Sequence, residues 1–312
     1  MKLKFVFIHG TAGWGSYDKR NEKMPYWGMR GGDLISYLNE KGFECYAASV
    51  SPFGSAWDRA CELYAQIFGT KTDYGSANSE TFRHERFGRD FTGYALIPEM
   101  NDDTKLVLIG HSFGGTTATM FAELMAHGDE AERDASKEDD ISPLFMGGME
   151  YRIHSIAAVA CALNGNSSFD MLSDPDFDLS SVKVPWWSRY FGKRMYDQLQ
   201  TETDGRDSRD CGDDDMQIDQ ALLLNERMST LRMYIIIRSR AATRKRRVTD
   251  LYPKRAWSLS LLSVHSRSAS IPARQKEVQR SVRNRMKMTE GSVPFLKHHL
   301  LEHRAENCFP VI

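Results

Sequence analysis

The stretch Lys105-Leu-Val-Leu-Ile-Gly-His-Ser-Phe-Gly-Gly-Thr-Thr-Ala118 joins an apolar run to a serine flanked by glycines. The apolar run predicts a buried strand, and residues 114–126 have the spacing of a helix. Between them, Gly110-His-Ser-Phe-Gly114 matches the pattern Gly-x-Ser-x-Gly. Glycines two positions before and after Ser112 indicate a sharp turn where a side chain would collide with backbone. The sequence therefore predicts that Ser112 is a nucleophile at a strand-to-helix elbow.

A second glycine-rich loop, His9-Gly-Thr-Ala-Gly-Trp-Gly15, directly follows the first apolar run of the chain. In the fold that uses such an elbow, the loop after an early strand supplies one backbone N–H to the oxyanion, and the residue after the nucleophile supplies the other. The free N–H groups at the start of a helix also favour negative charge, which develops in acyl transfer. Thr11 and Phe113 are therefore the predicted oxyanion donors.

Four short apolar runs alternate with stretches of helical spacing, and they are Lys4–Ile8, Phe43–Val50, Lys105–Ile109 and Ile153–Ala160. One helix is predicted to begin after a Ser55 cap and to end before Gly69. This alternation predicts an α/β protein of the α/β-hydrolase fold, with a mostly parallel central sheet and helices on both faces. The charged residues 126–140 predict a solvated helix end and loop.

The composition fits a globular enzyme without a strong charge-driven partner. The chain has 312 residues, 41% of them hydrophobic and 27% charged, and a formal net charge of -1. Its five cysteines have no metal-binding spacing, and an odd number cannot pair completely. The apolar run at the N-terminus is too short for a signal peptide or a membrane helix, so a cytoplasmic location is the default expectation.

The chain divides into two regions of different character. Residues 1–237 form the predicted hydrolase domain, in which the aromatic-rich segment 167–200 is either a lid over an apolar site or part of the core. Residues 238–312 are a divergent region, and fifteen Lys or Arg lie between Arg238 and Lys287. Such a run would suit an anionic membrane or nucleic acid, but it lacks interleaved aromatics, so no nucleic-acid partner is expected.

Several motifs together resemble those of the secreted triacylglycerol lipases of the thermoalkalophilic and staphylococcal group of bacteria. In chain order the matching segments are His9–Gly15, Tyr26-Trp-Gly28, Trp57-Asp-Arg-Ala-Cys-Glu-Leu-Tyr-Ala-Gln66, Asp73-Tyr-Gly75, His84-Glu-Arg-Phe-Gly-Arg89, the elbow, and Ser142-Pro-Leu-Phe145. The resemblance covers about residues 4–200. It implies that the substrate is a lipid ester bound at a lipid–water interface and that the protein functions in lipid degradation. Members of this family are usually secreted.

The resemblance also implies a structural zinc ion, although the ester chemistry itself requires no cofactor. In that family two aspartates and two histidines hold the ion. The matching positions here are Asp58, Asn78, His84 and Asp219, so an asparagine stands where the family has a histidine. Because asparagine is a poor zinc ligand, either a neighbour such as Glu80 substitutes or the site is weakened. Without the resemblance, Asp58 and His84 would be interpreted as a buried hydrogen-bonded pair.

A serine nucleophile needs an acid and a histidine, which follow it in this order along the chain in this fold. The family's Asp-Gly-x-Val motif has its nearest match in Glu290-Gly-Ser-Val293, so Glu290 is the predicted acid. The family's Asp-His motif has no match in the printed sequence. His303 is the candidate base, and His298 and His299 are its alternatives, although their setting also resembles an ordinary helix.

Three hypotheses follow from these observations. The first is a lipid ester hydrolase that forms an acyl-enzyme on Ser112. The second is a catalytically impaired relative that binds a lipid or a partner without turnover. The third is binding of nucleic acid or of an anionic membrane by the basic stretch from Arg238 to Lys287. Separately, the Arg- and Ser-rich sequence and the loss of family motifs after Arg238 suggest an altered reading frame or a mistaken gene boundary.

Overall fold

Strand β5 (Thr104–His111) occupies the middle of a five-stranded parallel sheet. The computed structural model describes residues 1–136, 140–172, 207, 209–228 and 236–239. In this part of the chain the sheet order is β2-β1-β5-β6-β7, and every neighbouring pair is parallel. The other strands of the sheet are β1 (Lys2–Ile8), β2 (Cys45–Ala48), β6 (Ile153–Val159) and β7 (Ile236–Ser239).

The described helices lie mainly between these strands along the chain. They are α1 (Lys19–Lys23), α2 (Leu34–Glu40), α3 (Ala56–Phe68), α4 (Ser76–Phe82), α5 (Phe113–His127), α6 (Glu130–Ala135), α7 (Pro143–Met146), α8 (Ser167–Leu172), α9 (Gly212–Asp215) and α10 (Ile218–Arg227). Short 3₁₀ turns cover Met29–Gly31 and Glu150–Arg152. A separate antiparallel pair consists of β3 (Lys71–Asp73) and β4 (Phe87–Asp90).

Apolar side chains from the sheet and from helices α3 and α5 form one continuous core. Leu106 and Leu108 of β5 are completely buried, as is Phe121 of α5. Fully burying a side chain of this size stabilises the fold by about 2–3 kcal/mol. The core therefore fixes the positions at which β5 ends and α5 begins.

Helix α3 begins and ends where the sequence predicts. The Ser55 hydroxyl accepts a hydrogen bond from the Asp58 N–H at 3.2 Å, which satisfies one of the free donors of the first turn. Gly69 ends the helix with a φ of 66°, a conformation that glycine adopts without a steric penalty. Because α3 is fixed at both ends, the residues of its first turns are held beside the end of the sheet.

The predicted α/β class with a parallel central sheet is confirmed, and each of the four apolar runs contains a strand. One local expectation is wrong. Residues 126–140 include helix α6, and Glu132 in this helix is 1% exposed. Its carboxylate accepts hydrogen bonds from the Ala77 and Asn78 N–H groups at 3.0 and 2.7 Å, so this charged segment packs against helix α4.

Several predictions lie wholly or mainly outside the described residues. They concern most of the lid-like segment, namely residues 173–200, and nearly all of the basic region 238–312. The division at residue 237 stays a prediction. Among the described helices, none is both long enough and apolar enough to cross a membrane.

Candidate active site and metal-binding cluster

Ser112 occupies a strained backbone conformation between the last residue of β5 and the first residue of α5. Its φ is 54° and its ψ is -127°, which is unusual for a residue with a side chain. The Ser112 N–H donates to the Val159 carbonyl at 3.0 Å and so ties the turn to the end of β6. The strand, turn and helix predicted around Ser112 are therefore present.

The two flanking glycines are required by close backbone contacts. A Cβ atom on Gly110 would lie 2.3 Å from the Gly114 carbonyl oxygen. A Cβ atom on Gly114 would lie 2.2 Å from the Ile8 carbonyl oxygen, which belongs to the neighbouring strand β1. No side chain fits at these separations, so glycine at both positions allows the elbow to pack tightly against the sheet.

The parallel register brings the loop after β1 next to the elbow. Ile8 pairs with Gly110, so the chain leaves both strands at the same edge of the sheet. The approach is close, because a Cβ atom on Gly10 would lie 2.8 Å from the Ser112 Cβ. Within the described part of the chain, neither the Thr11 N–H nor the Phe113 N–H donates to an acceptor. Both N–H groups are therefore unused among the described residues.

Tyr26 links the loop to the elbow. The Gly10 N–H donates to the Tyr26 hydroxyl at 3.1 Å, and that hydroxyl lies 2.6 Å from His111 Nδ1. Burial lowers the pKa of His111, which favours the neutral imidazole. If each group has one donor and one acceptor role, Tyr26 donates to Nδ1 and His111 carries its proton on Nε2. Sequence reasoning included Tyr26 in a motif but gave it no role.

Beneath the loop, His9 and Arg59 are completely buried. The His9 ring nitrogens lie 2.8 Å from the Gly10 carbonyl oxygen and 3.1 Å from the Val50 carbonyl oxygen. Burial and the nearby Arg59 charge lower the pKa of His9 to about 3. The His9 carbonyl accepts a hydrogen bond from Arg59 Nη2. The sequence gave no signal for this arrangement, because nothing in it shows that an arginine of α3 points inward.

The predicted acid and base cannot be placed. Glu290 and His303 lie outside the described residues, as do His298 and His299. Their roles stay predictions from the order of residues along the chain.

A second cluster contains Asp58 of α3, His84 and Asp210. The His84 Nε2 atom lies 3.4 Å from Asp210 Oδ2 and 3.9 Å from Asp58 Oδ1, and the three side chains are each 1% exposed. One nitrogen and one oxygen from each carboxylate lie within 4.8 Å of one another. His84 Nδ1 lies 2.9 Å from the Glu85 carbonyl oxygen, and a ring that donates there can offer Nε2 to a metal ion held between the carboxylates. This donor set could hold a metal ion.

Asp219 does not belong to this cluster. Its carboxylate instead accepts a hydrogen bond from the Gln220 N–H at 3.0 Å, at the start of α10. Asp210 takes the expected position because the Gly212 N–H donates to the Phe53 carbonyl at 2.9 Å, which holds this segment against the start of α3. Glu80, the suggested substitute ligand, is exposed and outside the cluster. Asn78 does lie beside it, with Nδ2 3.2 Å from His84 Nε2.

Comparison with known proteins identifies the family. Residues 2–181 match the family described as "Lipase-like, C-terminal domain". A lipase of Staphylococcus epidermidis is 36% identical over 171 residues, which are 54% of this chain and 25% of that protein. The matched part therefore spans about a quarter of the length of this curated relative.

Solved structures agree with this match. EstA from Clostridium botulinum has a TM-score of 0.61 and 31% identity over 73% of this chain and 57% of its own. The Staphylococcus hyicus lipase has a TM-score of 0.56 and 28% identity over 73% of this chain and 63% of its own. The resemblance to staphylococcal-type lipases is thus confirmed, and the chain belongs to the lipase-like C-terminal domain family.

Proposed function

We propose that this chain is a serine-dependent carboxylic ester hydrolase that acts on lipid esters. One observation carries the proposal: Ser112 sits at a strained turn beside two backbone N–H groups that have no acceptor in the described part of the chain. An ester carbonyl approached by the Ser112 hydroxyl needs donors of this kind where its oxygen becomes negative.

The reaction has two stages. The Ser112 Oγ attacks the acyl carbon, and the Thr11 and Phe113 N–H groups donate to the resulting oxyanion. The alcohol leaves with a proton, and the acyl group stays on Ser112. Water then attacks the acyl-enzyme, releases the carboxylic acid and restores the serine. Losing one oxyanion donor typically costs about 3 kcal/mol of transition-state stabilisation.

The proton transfers require a base and an acid that orients it. From their order along the chain we propose His303 as the base and Glu290 as the acid. Replacing His303 with alanine should abolish turnover, and the neighbouring His298→Ala variant is the matched control. Equal activity in both variants would exclude His303 as the base.

We propose lipid esters as the substrate class because several of the matched relatives are named lipases. Triacylglycerols and shorter esters at a lipid–water interface are the substrates to examine. The aromatic-rich composition of the proposed lid segment 167–200 agrees with an apolar substrate. Hydrolysis rates for p-nitrophenyl esters of increasing acyl length measure the chain-length preference.

The decisive test compares the full chain with its Ser112→Ala variant on p-nitrophenyl esters and on a fluorophosphonate probe. Hydrolysis and covalent labelling should both disappear in the variant, because no other residue replaces the nucleophile. Turnover that is independent of Ser112 would overturn the proposal. Reversible binding of esters without turnover or labelling would instead support the catalytically impaired alternative.

We further propose that Asp58, His84 and Asp210 hold a structural zinc ion, with the Asn78 amide oxygen as the fourth ligand. Bonds of about 2.0–2.1 Å to a tetrahedral ion place ligand atoms roughly 3.3 Å apart. From His84 Nε2 the observed separations are 3.2 Å to Asn78 Nδ2 and 3.4 Å to Asp210 Oδ2, which are close to this value, and 3.9 Å to Asp58 Oδ1, which is longer. The amide oxygen and nitrogen exchange places by a simple side-chain flip.

A bound ion would join three segments that are distant in sequence, namely α3, the α4–β4 connection and the residues before α9. Its contribution is to stability rather than to chemistry at Ser112. An amide is a weaker zinc ligand than imidazole, so Asn78→His should raise zinc affinity at least about tenfold. Calorimetric titration of the metal-free protein with Zn²⁺ measures this effect, and Asn78→Leu is the control that should lower affinity. Unchanged affinity in both variants would exclude Asn78 as a ligand.

A further inference from the structure

Arg59 is a cation buried directly beneath the proposed oxyanion site. Its side chain is 0% exposed, and within the described residues no carboxylate oxygen lies within 4 Å of it. Its Nη2 donates to the His9 carbonyl, whereas Nε and Nη1 have no acceptor among the residues that the structure describes. Burial lowers the pKa of Arg59 to about 10, so the guanidinium keeps its charge at neutral pH.

Such a residue is costly for the fold. A buried charge without a close counterion costs several kcal/mol, and a methionine or leucine at this position of α3 would fill the space without that cost. Electrostatic attraction from Glu62 and Asp215 offsets part of this cost, but neither carboxylate forms a close ion pair with Arg59 among the described residues.

The contacts of Arg59 reach both residues that flank the oxyanion site. The His9 carbonyl immediately precedes Gly10 and Thr11, so the hydrogen bond from Arg59 fixes the loop that carries one donor. The guanidinium carbon also lies 4.9 Å from the centre of the Phe113 ring, which belongs to the residue that carries the other donor. The rigid, planar guanidinium group thus contacts both the loop that carries Thr11 and the side chain of Phe113.

The hydrogen bonds continue from this cation to the elbow. The peptide group between His9 and Gly10 accepts from Arg59 at its carbonyl and donates to the Tyr26 hydroxyl at its N–H. The Tyr26 hydroxyl in turn forms a hydrogen bond of 2.6 Å with His111 Nδ1, beside Ser112. In such a chain each bond polarises the next, and the buried charge at one end strengthens the series.

We propose that Arg59 is a positioning residue that sets the separation between the Thr11 and Phe113 N–H groups. It acts through the His9 carbonyl and the Phe113 ring and does not touch the substrate. The proposal rests on the proposed ester hydrolysis at Ser112. On this proposal the buried charge keeps the two N–H donors aligned. Alignment matters because a displacement of about 1 Å in such a site lowers the rate about a hundredfold.

The test uses two Arg59 variants and one control on the same helix. Arg59→Met removes the charge and keeps the length, whereas Arg59→Lys keeps the charge and one donor. The control is Gln66→Met, because Gln66 is also 0% exposed in α3 and its amide bonds to the Ser49 backbone rather than to residues 9–11. All rates are measured well below the Tm of each variant.

Arg59→Met should lower kcat for a p-nitrophenyl ester about a hundredfold with KM nearly unchanged, because a misaligned oxyanion site affects the transition state more than substrate binding. Arg59→Lys should recover part of this loss. Gln66→Met should lower Tm but keep kcat. A wild-type kcat in Arg59→Met, or an equal loss in Gln66→Met, would overturn the proposal.

Hydrogen exchange provides a readout that does not depend on turnover. Amides in residues 9–12 should exchange faster in Arg59→Met but not in Gln66→Met, while strand β5 stays protected in both. Unchanged exchange in residues 9–12 of Arg59→Met would refute the positioning role. A wild-type chain without Ser112-dependent turnover would instead refute the proposed function, and the exchange comparison would still decide the role of Arg59.

Discussion

The elbow at Ser112 and the cluster around His84 are both built from polar groups held by tight packing, but they are encoded differently. The elbow lies within residues 110–114. Glycine occurs at both positions where backbone contacts leave no room for a side chain, so the sequence itself indicates the turn. The cluster joins residues 58, 84 and 210, which are brought together only by the folded chain. A site encoded locally can be predicted from sequence, whereas a site assembled from distant segments needs the structure.

The elbow side of this comparison predicts a large steric effect. Gly114→Ala should destabilise the fold by about 3 kcal/mol or more, because the added Cβ would meet the Ile8 backbone, which cannot move without displacing β1. Gly42→Ala is the control. Gly42 has a φ of 88° but open space around its Cα, so the cost there should be only about 1 kcal/mol of backbone strain. Urea unfolding measures both values, and equal losses would contradict the packing described for the elbow.

The cluster around His84 predicts that Asp210 and Asp219, two aspartates of one acidic segment, differ in their effect on zinc affinity. Asp210→Asn should lower zinc affinity at least about tenfold and reduce the rise of Tm that zinc causes, because a charged ligand is lost. Asp219→Asn should leave both quantities as in the wild type, since its carboxylate caps a nearby N–H. Thermal unfolding with and without Zn²⁺ separates the two variants. A larger effect of Asp219→Asn would restore the assignment made from sequence.

The buried His9 predicts an effect that is absent at neutral pH and grows as the pH falls. Its pKa is about 3 in the folded protein against about 6.5 when unfolded, so the unfolded chain binds the proton more readily. The stability due to neutral His9 is therefore present above pH 6.5 and is lost as pH falls towards 3, with a slope of at most about 1.4 kcal/mol per pH unit. His9→Asn should remove this part of the slope in urea unfolding between pH 4 and 7. An unchanged slope would show that His9 does not titrate in this way.

Local sequence patterns predicted the parallel sheet, the Ser55 cap of α3, the Gly69 end of that helix and the turn at Ser112. The cap, the helix end and the turn each depend on residues that are close together in the chain, and the sheet was predicted from runs that are each local; the structure contains all four. Periodicity could not reveal the buried Glu132, since its acidic setting is typical of a solvated segment. It could not place Arg59 either, because its position on α3 does not show which way its long side chain points.

The residues of the proposed metal site show a third case. Asp58 and His84 were predicted by resemblance, and the structure brings them together. The third member was misassigned because eight acidic residues lie between Glu202 and Asp219, and their order along the chain does not show which one reaches α3. The hydrogen bond from Gly212 to Phe53 makes that choice in the folded protein.

The most direct test of the central claim is the intact mass of the full chain after incubation with a fluorophosphonate, compared with that of Ser112→Ala. We expect a single adduct on the wild-type chain, located at Ser112 by peptide mapping, and no adduct on the variant. An unlabelled wild-type chain, or a label on a residue other than Ser112, would contradict the account of the elbow as the site of nucleophilic catalysis.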